Sequence, residues 1–272
     1  MSNLRKKLFV IDGMALIYRA HFAMIKNPLT TKNGQHTSAV YGLANSIFKL
    51  VKEEAPDYLA IAMDCREPTF RHQMYDLYKA NRESMPEELV SQLGYIDEMI
   101  GFMNIPILKK PGFEADDIMG TVAVLASDNK IDTYLVSGDK DLMQLVNDNV
   151  FLYTPGSRFQ PTTIYKTDQV KEKWGVTPSK MVEFLALLGD SSDNIPGVDG
   201  IGKKTAAKLL NEYDSIDQIL LNIDNIKNSR VRNGLQNGKD TLDLSLKLVL
   251  IDKKVDVSIS FEELLMTSMD NS

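Results

Sequence analysis

The sequence predicts an α/β fold, a mostly parallel central sheet flanked by helices with a smaller C-terminal helical region. Three observations predict it. Up to about residue 155, short apolar runs rich in β-branched and aromatic residues alternate with longer stretches of helical periodicity, the pattern of a parallel sheet covered on both faces. Several of these runs end on acidic residues, at the sheet edge where open α/β folds place their ligands. Beyond Pro155 the strand-like runs stop and short helical patterns punctuated by Gly and Pro take over.

The strands are expected at 7–12 (KLFVID), 58–64 (YLAIAMD), 133–138 and 150–154. Residues 30–37, TTKNGQHT, carry an Asn-Gly turn signal and suggest a small hairpin. Residues 38–54 place Val40, Leu43, Ile47, Leu50 and Val51 on one helix face. Residues 87–103 and 115–127 read the same way, as do shorter helices at 167–174, 178–188, 203–212, 215–221 and 239–249. The change of character falls between 160 and 185 and is taken at 175/176, with a helical region over 176–260. Residues 261–272 read as a frayed end.

At 272 residues, 43% hydrophobic and 25% charged, the composition is that of an ordinary globular protein. The apolar run Leu8–Ile11 is cut by Asp12, too short for a signal-peptide core, and nothing approaches a membrane span. The lone cysteine, Cys65, excludes an internal disulfide framework, fits a reducing cytoplasm and reads as buried filler.

Nine carboxylates stand out: Asp12, Asp64, Glu114, Asp116, Asp117, Asp139, Asp141, Asp190 and Asp193. Any one of Asp116, Asp141 or Asp193 could be a helix cap and nothing more. The set argues otherwise. Asp12 and Asp64 finish apolar strands where Ser or Gly would serve a turn as well, while Glu114 and Asp117, and again Asp190 and Asp193, recur three apart. Nine like charges at one edge raise each other's pKa unless a cation sits among them. Oxygen ligands without a His or Cys cluster point to Mg²⁺ or Mn²⁺. A pair of such ions suits in-line attack on a phosphodiester and needs no nucleophilic triad, for which His21, His36 and His72 are too scattered.

The net charge of −6 becomes +3 once the nine acids are set aside, so overall acidity does not exclude a phosphate-rich partner. Residues 66–85 interleave Phe70, Tyr75 and Tyr78 with Arg66, Arg71, Lys79 and Arg82. That pattern suits a single-strand channel, or an amphipathic helix with an aromatic face turned inward. The segment 197–206, GVDGIGKKTA, nearly matches a phosphate-binding P-loop, but Lys204 stands where Ser or Thr should be and no apolar strand leads in. Two helices joined by a glycine-rich hairpin, with backbone N–H groups meeting a nucleic-acid phosphate without reading bases, fit better. The bland alternative is a helix-capping glycine followed by a turn.

FVIDGMALIYRAHFA, AMDCREPTFRHQMYDLYKANR, GFEADDIMGT, LVSGDKDLMQLV and LLGDSSDNIPGVDGIGKKTAAKLL together resemble the bacterial 5′-nuclease family, most like the 5′→3′ exonuclease domain at the front of DNA polymerase I and related to flap endonucleases. The resemblance covers about residues 5 to 260. It implies an α/β nuclease domain over 1–175 with a helical arch at about 66–90, and a helix-hairpin-helix within 176–260. It implies that all nine acids are metal-site residues, directly or through the second shell, for two or more Mg²⁺ or Mn²⁺ ions. Lys79 and Arg82 match the basic pair that contacts the scissile phosphate. Tyr18 and Arg19 look toward the same pocket, and Arg71 and Tyr78 are expected on DNA. Gly197, Gly200, Gly202, Lys203, Lys204 and Thr205 form the hairpin, which grips duplex and commonly holds K⁺.

The function this implies is a structure-specific 5′→3′ exonuclease and flap endonuclease of replication and repair. It would act on free 5′ ends, 5′ flaps and nicked or branched DNA, tolerate an RNA primer, and work as a cytoplasmic monomer with no membrane. The alternatives are a non-catalytic branched-DNA binding module and a PIN-type endoribonuclease. No polymerase follows in this sequence, and a free-standing exonuclease and a domain of a longer protein both stay open.

Overall fold

The computed structural model describes residues 5–157 and 160–266. In KLFVID, Leu8, Phe9, Val10 and Ile11 are all fully buried, as befits a central strand of a sheet covered on both faces. This strand, β1 (Lys7–Asp12), runs directly into α1 (Gly13–Ala23), which was not foreseen because one residue serves both elements. Asp12 closes the strand and caps the helix, its Oδ1 accepting the Ala15 N–H at 3.0 Å. The expected hairpin follows, with Thr30 bridged to His36, then α2 (Ser38–Glu54) and β2 (Tyr58–Ala62).

The segment 66–90 holds less helix than an arch requires. It contains α3 (Phe70–Met74) and α4 (Glu87–Val90), and the residues between them run as turns and irregular chain. Tertiary bonds account for this: Lys79 N–H donates to the Asp193 carbonyl at 2.9 Å and Asn194 Nδ2 to the Leu77 carbonyl at 2.8 Å. Lys79 itself takes a left-handed conformation, φ 57°, which no helix tolerates. The expected helix 87–103 is also divided, into α4 and α5 (Leu93–Phe102). Buried Gln92 at the break accepts the Ala39 N–H and donates to the Glu88 carbonyl, both at 2.8 Å.

Next come β3 (Ile107–Leu108), α6 (Ala115–Asp128), β4 (Asp132–Val136), β5 (Val150–Thr154), β6 (Thr163–Tyr165) and α7 (Thr167–Trp174). β3 and β6, two and three residues long, are too short to leave a periodic trace. β6 corrects the expectation that strands end at Pro155. The sheet order is β3-β2-β1-β4-β5-β6, parallel except for β5–β6. The order reverses between β1 and β4, and the crevice beyond the carboxyl ends of those two strands is the switch point of such a sheet. Leu8 and Val10 pack with Ile118 and Val122 of α6, while Phe9 and Ile11 pack with α1, α2 and α5.

The helical region is α8 (Met181–Leu188), α9 (Lys203–Tyr213), α10 (Ile216–Leu221), α11 (Ser229–Asn237) and α12 (Lys239–Val249). Its core is continuous with that of the sheet, since Phe184, Leu210 and Leu248 belong to the same buried cluster as Leu8 and Val10. The chain then returns to the sheet. Residues 261–266 are not frayed: the Leu264 carbonyl accepts Leu59 N–H and the Asp57 carbonyl accepts Met266 N–H, both at 2.9 Å, and Leu264 is buried. β3 covers only Ile61 and Ala62, so the first half of β2 offers the edge that this segment takes. Residues 267–272 of the expected tail lie outside the described residues.

Candidate active site

The carboxylates reach one edge by different local routes. Asp12 leaves β1 beside the end of β2, an approach that requires Gly13, because a Cβ there would lie 3.0 Å from the Ala62 carbonyl oxygen and 2.1 Å from Met63 Sδ. Asp64, just past β2, accepts the Ala115 N–H at 2.9 Å and so ties itself to the start of α6. Glu114 caps α6 in a box with Asp117, and Asp116 lies in its first turn. After β4, buried Ser137 donates its hydroxyl to Asp12 Oδ2 at 2.8 Å and accepts the Asp139 N–H at 3.1 Å; Asp139 Oδ1 in turn accepts the Asp141 N–H at 2.8 Å. Asp190 and Asp193 arrive on the loop between α8 and α9, which Asp190 and Ile195 close with a pair of backbone hydrogen bonds at 2.9 and 2.7 Å.

These groups feel one another. Burial, then the charges of Asp64 and Asp139, push the Asp12 carboxyl up to about 6. Burial and Asp139 push Asp141 up to about 7. Burial, with Asp139, Asp12, Glu114 and Asp141 around it, raises Asp116 well above the usual carboxylate range. Asp190 goes the other way: burial would raise it, but the Lys140 ammonium outweighs that and lowers it.

Capping and convergence therefore coexist, and eight of the nine acids meet in one cluster. Asp117 plays another part. It is fully buried, and its two oxygens accept Arg71 Nη1 and Nη2 at 2.7 Å each, Glu114 N–H at 3.0 Å and Asp252 N–H at 2.8 Å. With four bonds taken it has no lone pair to spare for an ion, so it supports Glu114 from behind.

Two residues expected on DNA are also corrected. Arg71 is 2% exposed, its guanidinium bonded to Asp117 and to the carbonyls of Leu248 and Leu250 at 2.9 and 2.8 Å. Tyr78 is 4% exposed and donates to Glu114 Oε2 at 3.1 Å. Both look like channel residues in sequence because an interleaved aromatic-basic pattern does not say which way a side chain turns.

The demand for positive charge is met in part by the protein. Lys79 Nζ sits 2.7 Å from Glu114 Oε1 and 3.9 Å from Asp193 Oδ2, and Arg82 Nη2 2.6 Å from Asp193 Oδ1. Lys140, unnoticed in the sequence although LVSGDKD displays it between two acids, pairs with Asp190. Among the described residues no three Asp, Glu, His or Cys side chains close into a ready metal cage. The donor set nonetheless fits divalent ions: it is all oxygen, and Asp141 Oδ1 is buried without a hydrogen-bond partner.

The raised carboxyls make a prediction. The folded state keeps protons on Asp12 and Asp141 up to about pH 6 and 7, whereas the unfolded chain loses them near 4. Without metal their contribution to stability therefore falls as pH rises through that window. Ion binding requires the deprotonated form, so the rise in Tm caused by an added divalent ion should be larger at about pH 8 than at about pH 5.5 in scanning calorimetry. Equal rises at both would place the ions elsewhere.

Arg19 donates to the Pro155 carbonyl at 2.7 Å and to that of Gly156, and Tyr18 stacks on Phe22; neither contacts the acids in these bonds. In the glycine hairpin, Gly197 admits no side chain, since a Cβ would lie 2.4 Å from the Leu188 carbonyl oxygen. Gly200 takes a left-handed φ of 80°, and Gly202 precedes α9 without a side-chain cap. Lys203 lies 4.2 Å over the Trp174 ring and donates to the Lys173 carbonyl at 2.8 Å, while Lys204 is exposed and Thr205 half-buried.

Two family models cover nearly all of the chain: 5'-3' exonuclease, N-terminal resolvase-like domain, over residues 7–175, and 5'-3' exonuclease, C-terminal SAM fold, over residues 176–272. DNA polymerase I of Caldicellulosiruptor bescii is 41% identical over 260 residues, covering 95% of this chain and 30% of that protein. DNA polymerase I of Bacillus subtilis is 39% identical over 259 residues, 94% of this chain and 29% of that protein. The chain thus spans under a third of the length of these relatives. Among solved structures, T5 5'-exonuclease with bound zinc superposes with a TM-score of 0.75 at 22% identity, over 91% of this chain and 90% of that one. The catalytic core of Rad2 in complex with DNA substrate gives 0.62 at 16%, over 95% and 82%. At such identities these two structures establish the common fold.

Proposed function

We propose a reaction for this chain on the premise that it belongs to the 5′-3′ exonuclease family, which makes it a nuclease. It is a structure-specific 5′→3′ exonuclease and flap endonuclease that hydrolyses phosphodiester bonds in DNA during replication and repair. The observation that carries this reading is the meeting of eight carboxylates at the switch point of the sheet with Lys79 and Arg82 paired directly to two of them. Relatives named DNA polymerase I and a neighbour bound to DNA substrate support the choice of polymer.

Asp12, Asp64, Glu114, Asp116, Asp139, Asp141, Asp190 and Asp193 would hold two or more divalent ions, Mg²⁺ or Mn²⁺, with K⁺ at the hairpin. When bound, the divalent ions supply Lewis acidity toward the phosphodiester and lower the pKa of water. The chain's own residues do the rest. Arg82, half exposed, and Lys79 can turn from Asp193 and Glu114 to an incoming phosphate and stabilise the charge that develops there. Ser137, through Asp12 and Asp139, keeps the β1 and β4 acids in register. Duplex lies along the hairpin and the 5′ strand runs past residues 66–90, with tolerance for RNA at that end. The nuclease domain spans 1–175 and the DNA-binding helical region 176–260, and the protein works as a cytoplasmic monomer. No helix among the described residues is long and apolar enough to cross a membrane.

The test is a labelled 5′ flap incubated with and without Mg²⁺. Cleavage only with the ion, leaving a 5′ phosphate and a 3′ hydroxyl, is expected. An intact flap that stays tightly bound would identify a branched-DNA binding module instead, and preferential cutting of unstructured RNA in the same assay a PIN-type endoribonuclease.

The hairpin carries its own prediction. Lys203 is engaged with Trp174, so Lys204 is the freer cation, and Lys204→Ala should weaken duplex binding and reduce the slope of log affinity against log salt by about one. Lys203→Ala should change the slope less and alter the Trp174 fluorescence. Coincident slopes for Lys204→Ala and the parent in anisotropy titrations would remove the hairpin from the duplex contact.

A further inference from the structure

The cluster is divided by how its charge is met. Asp12, Asp64 and Asp139 form no ion pair among the described residues; they accept hydrogen bonds from Ala15, Ser137, Ala115 and Asp141. Asp116 likewise pairs with no cation there and is surrounded by like charges. On the other side Asp141 and Asp190 share one ammonium: Lys140 Nζ donates to Asp190 and lies 3.5 Å from Asp141 Oδ1. At that separation Asp141 Oδ1 gains Coulomb attraction but no hydrogen bond, and it remains buried and unpartnered. Lys79 holds Glu114 and, with Arg82, the nearby Asp193 in the same manner.

The Lys140 head group is therefore where a cation between Asp141 and Asp190 belongs, and an oxygen still lacks a ligand there. Its side chain is 31% exposed, so a route outward exists. A lysine suits temporary occupation, being a compact charge on a flexible stem, where a forked guanidinium would hold its carboxylates more rigidly.

We propose that Lys140 is an internal counter-ion that occupies the Asp141–Asp190 half of the cluster and must swing aside before a divalent ion enters there. The two halves then fill in order, the cation-free half of Asp12, Asp64, Asp116 and Asp139 first. Lys140 thereby sets the affinity of the second ion. The proposal rests on the metal-dependent reading above and adds to it a residue that regulates occupancy.

The experiment titrates the parent, Lys140→Met and Lys140→Arg with Ca²⁺ by calorimetry and with Mn²⁺ by electron paramagnetic resonance, needing no turnover. In Lys140→Met the first ion should bind as in the parent and the second about fivefold more tightly, the scale of a partly exposed ion pair no longer broken. Lys140→Arg should bind the second ion no more tightly than the parent. In the parent, the ¹⁵N-ammonium NMR signal of Lys140 should move with the second equivalent of Mg²⁺ and stay in place with the first. Equal second-ion affinity in parent and Lys140→Met overturns the proposal. So does loss of the second ion in Lys140→Met, which would mean that Lys140 holds the acids in place. A parent that takes up no divalent ion sinks the metal-dependent reading itself, and this inference with it.

Discussion

Asp139→Ala is expected to lower turnover on a 5′ flap by about a thousandfold or more, the several kcal/mol of transition-state charge stabilisation that a bound divalent ion supplies, while DNA binding stays measurable. Asp139 stands at the meeting of β1 and β4 products: its charge acts on Asp12, Asp116 and Asp141 together. It is exposed and forms no ion pair among the described residues. Its removal therefore takes away ion-holding capacity without opening the core, and the loss should fall on kcat, with affinity for DNA unharmed because a negative charge has been removed. Single-turnover kinetics beside an anisotropy titration separates the two. Unchanged turnover would exclude Asp139 from the site, and a loss confined to affinity would make it a DNA contact.

The second large effect concerns stability. Arg71→Ala should cost about 3–5 kcal/mol, the usual penalty for removing one partner of a buried ion pair, read as a lower urea midpoint at constant slope. The pair is fully inside: Asp117 is 0% and Arg71 2% exposed. Removing the guanidinium strands a buried carboxylate and the carbonyls of Leu248 and Leu250 at once. Asp117→Ala should cost a similar amount by stranding the guanidinium. Replacing both with apolar residues of like volume should recover part of the loss. Because Arg71 joins α3, the start of α6 and the end of α12, partial unfolding should release residues 248–252 together with the 66–90 segment in hydrogen exchange. A fully folded Asp117→Ala protein that binds divalent ions weakly would instead return Asp117 to the ligands.

Most of the sheet was legible because buried parallel strands are continuous apolar runs, as in KLFVID and VFLYT, and the helix 38–54 because its apolar face repeats without interruption. α1 was hidden by Asp12 serving two elements, β3 and β6 by their brevity, and the break at Gln92 by a hydrogen bond to the start of α2. The docking of residues 261–266 depends on an edge that β3 leaves open, and nothing local in EELLM announces it. The acids of the site were legible as a set, since most sit at a strand end or a helix start where the fold class itself directs side chains to one edge, while Asp190 and Asp193, on the loop between α8 and α9, were legible by their spacing of three.

What the sequence determined alone was therefore the inventory and its address: nine carboxylates, a basic pair, a glycine hairpin and a parallel sheet whose carboxyl edge would receive them. Which acid meets a cation, which is sealed against Arg71, and whether Tyr78 or Arg71 faces solvent were decided only by tertiary structure. The reason is physical. Strand and helix periodicity is a local property of the chain, whereas the charge state and partner of a carboxylate depend on groups brought within about 4 Å from distant segments, as Lys140 is brought to Asp190 and Arg71 to Asp117.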